Sequence, residues 1–165
     1  MTAKKLDTYL NLCSEYYDLD KPSAPADALS FYMEYARNCE GKIFEPMCGN
    51  GRFLFPILDA GLDIEGSDAS SFMLEKLKDK CRKMNQNPKV WQGFLEDISQ
   101  ENEYELIFIP SGSFGLIIDE NSALKCLHKI YNALKANGKI VFEVETLNAI
   151  PKTLGPESKK KSSKI

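Results

Sequence analysis

The stretch Phe44-Glu45-Pro46-Met47-Cys48-Gly49-Asn50-Gly51-Arg52 sets a carboxylate, two glycines and an arginine directly after a short apolar run. Gly49 and Gly51 lack a Cβ, so this backbone can turn sharply and bring its N–H groups against a ligand. A lone G-x-G is a common turn, and a second mark gives this one meaning. Asp68, closing "IEGSD", offers a carboxylate that can accept both hydroxyl protons of a ribose. It lies about seventeen residues beyond Gly51, near the spacing expected of the acidic partner in such a unit. An acid favoured by a helix dipole would explain Asp68 alone; it would not explain the pairing with the loop. Together they point to a nucleotide-like ligand.

These residues need a scaffold that holds two strand ends side by side. Apolar residues at Leu6, Tyr9, Leu10, Cys13, Tyr16 and Tyr17 have helical spacing and one sticky face. After "DLDKPSAP", Pro25 opens a second helix through Leu29, Met33 and Ala36 to about Cys39, with Gly41 as its stop. Ile43-Phe44 is a short strand, and Phe53, Leu54, Ile57 and Leu58 predict a helix closed by Gly61, with Pro56 in conflict unless it sits in the first turn. "LDIEGSD" reads as a second strand. "SSFMLEKLKDKCRKM" reads as a helix with Leu74, Leu77, Cys81 and Met84 on one face and Ser70 or Ser71 as its cap. "KVWQG" and "YELIFIPSG" are the third and fourth strands, the latter apolar enough for burial on both faces. "NSALKCLHKIYNAL" places Leu124, Leu127, Tyr131 and Leu134 on one helical face; the turn "KANG" and "KIVFEVET" supply a fifth strand. Alternation at this spacing predicts an α/β fold, a doubly wound, mainly parallel sheet with helices on both faces.

The totals narrow the possibilities. At 165 residues the chain suits one domain with a real core, and its net charge of −3 supplies no global field for nucleic acid. No apolar run is long enough to span a bilayer, and the start lacks a signal peptide's apolar core. The five cysteines, Cys13, Cys39, Cys48, Cys81 and Cys126, are widely spaced and form no CxxC, so neither disulfides nor a metal site is expected and a reducing cytoplasm fits.

In order, "EPMCGNGR", "GSDASSFML", "YELIFIPSGSF" and "LKANGKIVFEVET" resemble successive motifs of class I S-adenosylmethionine-dependent methyltransferases, over about Tyr16 to Thr146. The resemblance implies a Rossmann-like sheet of order 3-2-1-4-5 and S-adenosylmethionine as cofactor. It implies that Glu45 orients the cofactor's amino end, helped by the backbone of Met47 and Gly49, with Cys48 and Gly51 completing the loop. Asp68 would hold the ribose, Ala69 and Met73 would line the adenine, and Leu95 would lie on its other side. Pro110 and Ser111 would flank the reacting methyl group, and Tyr17 falls where relatives carry a tyrosine near the cofactor's carboxylate. It further implies one domain over 1–150, with helices in 1–40 covering the cofactor site; the lysine run within 151–165 reads by its own charge as a disordered tail.

Three departures from the family pattern stand out. The first glycine of its loop is Met47, which has a Cβ. The acid before the adenine contact is Phe94, leaving Glu96, Asp97 or water for the amino group, or a stacking role for Phe94 itself. The family's sheet usually adds a C-terminal antiparallel hairpin, and "TLNAIPKTLGPESKKKSSKI" has too few apolar residues for one, which reads as a shortened chain whose fifth strand is an open edge. A homodimer through that edge is the expected remedy.

Methyl transfer is a displacement at an activated carbon, so the protein mainly positions the acceptor and strips its water. The expected acceptor is a small molecule, since no basic groove with interleaved aromatics suggests RNA or DNA. Asp119, Glu120 and His128 are candidate bases, none singled out, His128 being read as a surface or packing residue; Cys48 is read as a packing thiol. A non-catalytic module of the same fold is the first alternative. A nicotinamide-binding protein is the second, against which Leu54 stands where the third glycine of G-x-G-x-x-G would be.

Overall fold

The computed structural model of the protein describes residues 9–144. Five strands, β1 (Ile43–Pro46), β2 (Ile64–Asp68), β3 (Lys89–Gln92), β4 (Tyr104–Ile109) and β5 (Leu134–Phe142), form one sheet in the order β3-β2-β1-β4-β5. Every pairing is parallel. Helices α3 (Leu54–Asp59), α4 (Ser71–Met84) and α5 (Glu120–Ala133) make crossovers, preceded by α1 (Asn11–Asp20) and α2 (Ala26–Arg37). Among the described residues no helix is long and apolar enough to cross a membrane. Leu6, the end of the expected fifth strand past 144 and the expected tail at 151–165 lie outside them.

Strand periodicity divides the core. Leu106 and Phe108 of β4 join Ile43, Leu54, Leu74 and Leu77 on one face, while Ile107 and Ile109 join Phe44, Cys126 and Ile130 on the other. Phe44 stacks between Trp91 and Tyr104, with centroids 5.1 and 4.8 Å away. At the end of the sheet away from the glycine loop, buried Glu65 accepts hydrogen bonds from Lys42 (2.9 Å), Lys89 (2.9 and 3.0 Å) and the Tyr104 hydroxyl (2.9 Å). This one carboxylate thereby ties β2 to β3, β4 and the approach to β1.

Several local expectations are sharpened. Pro56 is the third residue of α3, inside the first turn where a missing N–H costs nothing, so its conflict disappears. Ser70 caps α4, its Oγ accepting the Met73 N–H, and Asn85 closes it at φ 52°. Pro25 precedes α2 as its cap, not its first residue.

Two helix faces are corrected. In α5 the buried stripe is Cys126, Ile130 and Ala133, whereas Leu124 and Tyr131 point to solvent. Both stripes are apolar and lie on neighbouring faces, with Leu127 half-buried between them, so periodicity alone could not choose. In α1 and the residues before it the expected sticky face is not buried: Leu10, Cys13 and Tyr16 are exposed, Tyr9 and Tyr17 are half-buried, and Ser14 is the buried residue. The helix docks by polar contacts instead. The "KANG" turn belongs to β5 as an irregularity, pairing stepping from Tyr104↔Leu134 to Leu106↔Lys139 with Asn137 at φ 67°.

Candidate functional site

β1 is where the winding direction reverses, with β2 on one side and β4 on the other. A cavity of about 510 Å³ opens beyond their C-terminal ends. That is where an open α/β sheet leaves a crevice, because crossovers depart in opposite directions.

The glycine loop forms its floor. Backbone φ is positive at Met47 (60°), Gly49 (56°) and Gly51 (79°), so the methionine does occupy a left-handed conformation despite its Cβ. Cys48 N–H bonds Ser67 O at 2.9 Å, and Gly51 N–H bonds Cys48 O at 3.0 Å. The Asp68 carboxylate locks the loop to β2, Oδ2 accepting from Gly49 N–H and Oδ1 from Ser70 N–H, each at 2.8 Å. Burial nonetheless pushes the Asp68 carboxyl above its ordinary value, those two bonds offsetting part of the shift.

Glu45 lies at the end of β1, fully buried, and its Oε2 has no hydrogen-bond partner among the described residues. Burial drives its carboxyl well up, Arg52 opposes that, and Asp68 adds to it. The backbone N–H of Leu54 bonds this carboxylate, but its Oε2 is left without a donor beside the cavity, a cost that a cationic ligand would offset. Arg52 supplies the opposite sign. Its guanidinium lies 5.5 Å from the Tyr17 ring centroid and 5.3 Å from that of Phe53, and Nη2 donates to Ser111 Oγ at 2.7 Å.

Tyr17 comes from α1, which covers the opening. Tyr9 meets the Tyr17 ring edge-on at 5.6 Å, and its carbonyl accepts from Ser70 Oγ (2.6 Å) and Ser14 Oγ (2.9 Å). Asp18 accepts from Asn50 of the loop at 2.8 Å and pairs with Lys80 of α4 at 2.7 Å. The second N-terminal helix offers no side chain to the cavity; it packs on β4 through Tyr32 and Phe108.

Ala69 and Met73 line one wall, and Leu95, in a 3₁₀ turn at Leu95–Asp97, lines another beside Phe94 and Glu96. Pro110 and Ser111 close the β4 side, with Leu116, Ile117 and the exposed Ile118 at the rim. Of the residues that the resemblance assigns to the cofactor site, all line this cavity except Gly51. It sits behind the loop, where an added Cβ would lie 2.8 Å from Phe55 and 3.1 Å from Leu77. Cys48 faces the cavity but is buried against Gly66, and burial pushes its thiol well up, which suits packing and not nucleophilic work.

Among the base candidates, Asp119 lines the cavity but caps α5, accepting Ser122 N–H at 2.8 Å, and that bond lowers its carboxyl. Glu120 does not line the cavity, and His128 is exposed on α5. Sequence reasoning missed Tyr9, Arg52, Ser113 and Cys126. Arg52 stood inside the quoted loop; what no local pattern could reveal is that its side chain crosses to Ser111, 59 positions away.

Comparison with known proteins bears on this cavity. Residues 43–138, more than half of the chain, match a family model described as a methyltransferase domain. The chain is 24% identical over 153 residues to the glycine/sarcosine N-methyltransferase of Halorhodospira halochloris, covering 90% of this chain and 56% of that protein. The solved S-adenosylmethionine-dependent methyltransferase of Clostridium acetobutylicum superposes with a TM-score of 0.71 at 20% identity, over 87% of this chain and 60% of that one. The sugar N-methyltransferase KedS8 of Streptoalloteichus sp. gives 0.72 at 14% identity, over 93% and 63%. At such identities the structural likeness shows the fold. The chain spans about half the length of the curated relatives it matches.

Proposed function

Because this chain belongs to the methyltransferase-domain family, we propose that it transfers a methyl group from S-adenosylmethionine to a small-molecule acceptor. One observation carries the reading: a buried, partnerless carboxylate oxygen of Glu45 shares a cavity with the Arg52 guanidinium and with Asp68. A ligand that bears an ammonium, a carboxylate and a ribose on one skeleton suits those three groups.

When bound, the cofactor supplies a methyl group already activated by positive sulfur. The chain's residues do the rest. Glu45 would accept from the ammonium, and Arg52, steadied over Tyr17, would hold the carboxylate. Each Asp68 oxygen spends one lone pair on a backbone N–H and keeps another for a ribose hydroxyl. Ala69, Met73 and Leu95 give apolar surface for an adenine, and Tyr9 and Tyr17 keep water from the charged end. Pro110 and Ser111 border the side from which an acceptor would approach. The relatives named as a glycine/sarcosine N-methyltransferase and a sugar N-methyltransferase support an amine acceptor.

Titration calorimetry with S-adenosylhomocysteine, the demethylated product, tests the reading. Binding is expected, with Asp68→Ala weakening it severely. Absence of heat at millimolar ligand overturns it.

A further inference from the structure

The wall formed by Ser111 is held from outside the cavity. Tyr32 of α2 is fully buried, its ring 5.5 Å from Phe53 and 5.2 Å from Phe108. Its hydroxyl donates to Glu143 Oε1 at 2.7 Å, just past the end of β5. The same oxygen accepts the Ser111 N–H at 3.1 Å. Ser111 has φ 62° and Gly112 φ 66°, so a serine is kept in a conformation that L residues avoid. Its hydroxyl in turn receives Arg52 Nη2. Glu143 does not line the cavity; it reaches the site only through this chain of contacts.

We propose that Glu143 is a positioning residue: with Tyr32 it fixes the strained Ser111 peptide and, through Ser111, aims the Arg52 guanidinium into the cavity. This rests on the cofactor reading of that cavity. A left-handed serine relaxes to extended backbone unless its N–H and side chain are both held, and an arginine without a fixed acceptor spreads over many rotamers. Tyr32 provides rigidity, because it is clamped by two aromatic rings in the core. What the chain needs at 143 is one acceptor oxygen able to take two donors, which an amide oxygen also provides.

Calorimetry with S-adenosylhomocysteine on the full chain tests this, alongside melting temperatures. Glu143→Ala is expected to weaken binding about five- to tenfold, and Glu143→Gln to stay within about twofold. Once Arg52→Ala is present, Glu143→Ala should cause no further loss, since its effect passes through that residue. A Glu143→Ala protein with wild-type affinity, whether or not it melts lower, overturns the proposal. So do losses that multiply independently in the double variant, or a Gln variant as weak as the Ala one. A wild-type chain that binds nothing overturns the cofactor reading and this proposal with it; binding indifferent to Glu143 overturns the proposal alone.

Discussion

At the scale of single residues, Glu45 shows a site group set against stability. Its carboxyl is raised in the folded state, so folding favours the protonated form. Its contribution to stability is full below the unfolded carboxyl value near 4.5 and falls as pH rises toward the raised folded value. Glu45→Gln should therefore melt higher than the wild type at neutral pH while binding S-adenosylhomocysteine about ten- to a hundredfold more weakly. Parallel thermal scans and calorimetry check both halves, and a variant that melts lower and binds normally contradicts both. Gly51 presents the opposite case. With φ 79° and Phe55 and Leu77 close behind, Gly51→Ala should cost about 2–3 kcal/mol in urea unfolding.

At the scale of elements, the choice of face in α5 is open to direct test. Ile130→Ala should cost about 2–4 kcal/mol because it empties a packed site, whereas Tyr131→Ser should stay within about 0.5 kcal/mol. Chemical denaturation of the two variants decides it, and reversed magnitudes would restore the face expected from periodicity. The sheet has its own charged tie. Burial pushes Glu65 up, but hydrogen bonds from Lys42, Lys89 and Tyr104 outweigh it and leave the carboxyl below its ordinary value. That stabilisation is present above the unfolded value near 4.5 and is lost as pH falls through the lower folded value. Glu65→Gln should accordingly flatten the acid side of the stability profile, read by melting between about pH 3 and 7.

At the scale of the molecule, the order β3-β2-β1-β4-β5 makes β1 and β2 neighbours, and so brings the glycine loop and Asp68 within one hydrogen bond. The same order leaves β5 at an edge, with no strand beyond it among the described residues. Its unpaired main-chain groups would template another strand. Self-association of two copies along β5 is accordingly proposed. Light scattering should find a dimer, and a monomer at high concentration removes the idea.

The sequence by itself determined what is local: element order, a glycine turn after the first strand, a serine cap narrowed to Ser70 or Ser71, and the acid one strand on. Periodicity and glycine carry that information within a few residues. Strand order was legible only through family likeness. Tertiary structure alone decided which of two apolar stripes on α5 faces the sheet, and that α1 meets the loop and α4 through Asp18. It also decided that Arg52 reaches Ser111 and that Tyr32 meets Glu143 across 111 positions. Such contacts depend on where the crossovers set distant strand ends, and no pattern confined to one element encodes that placement.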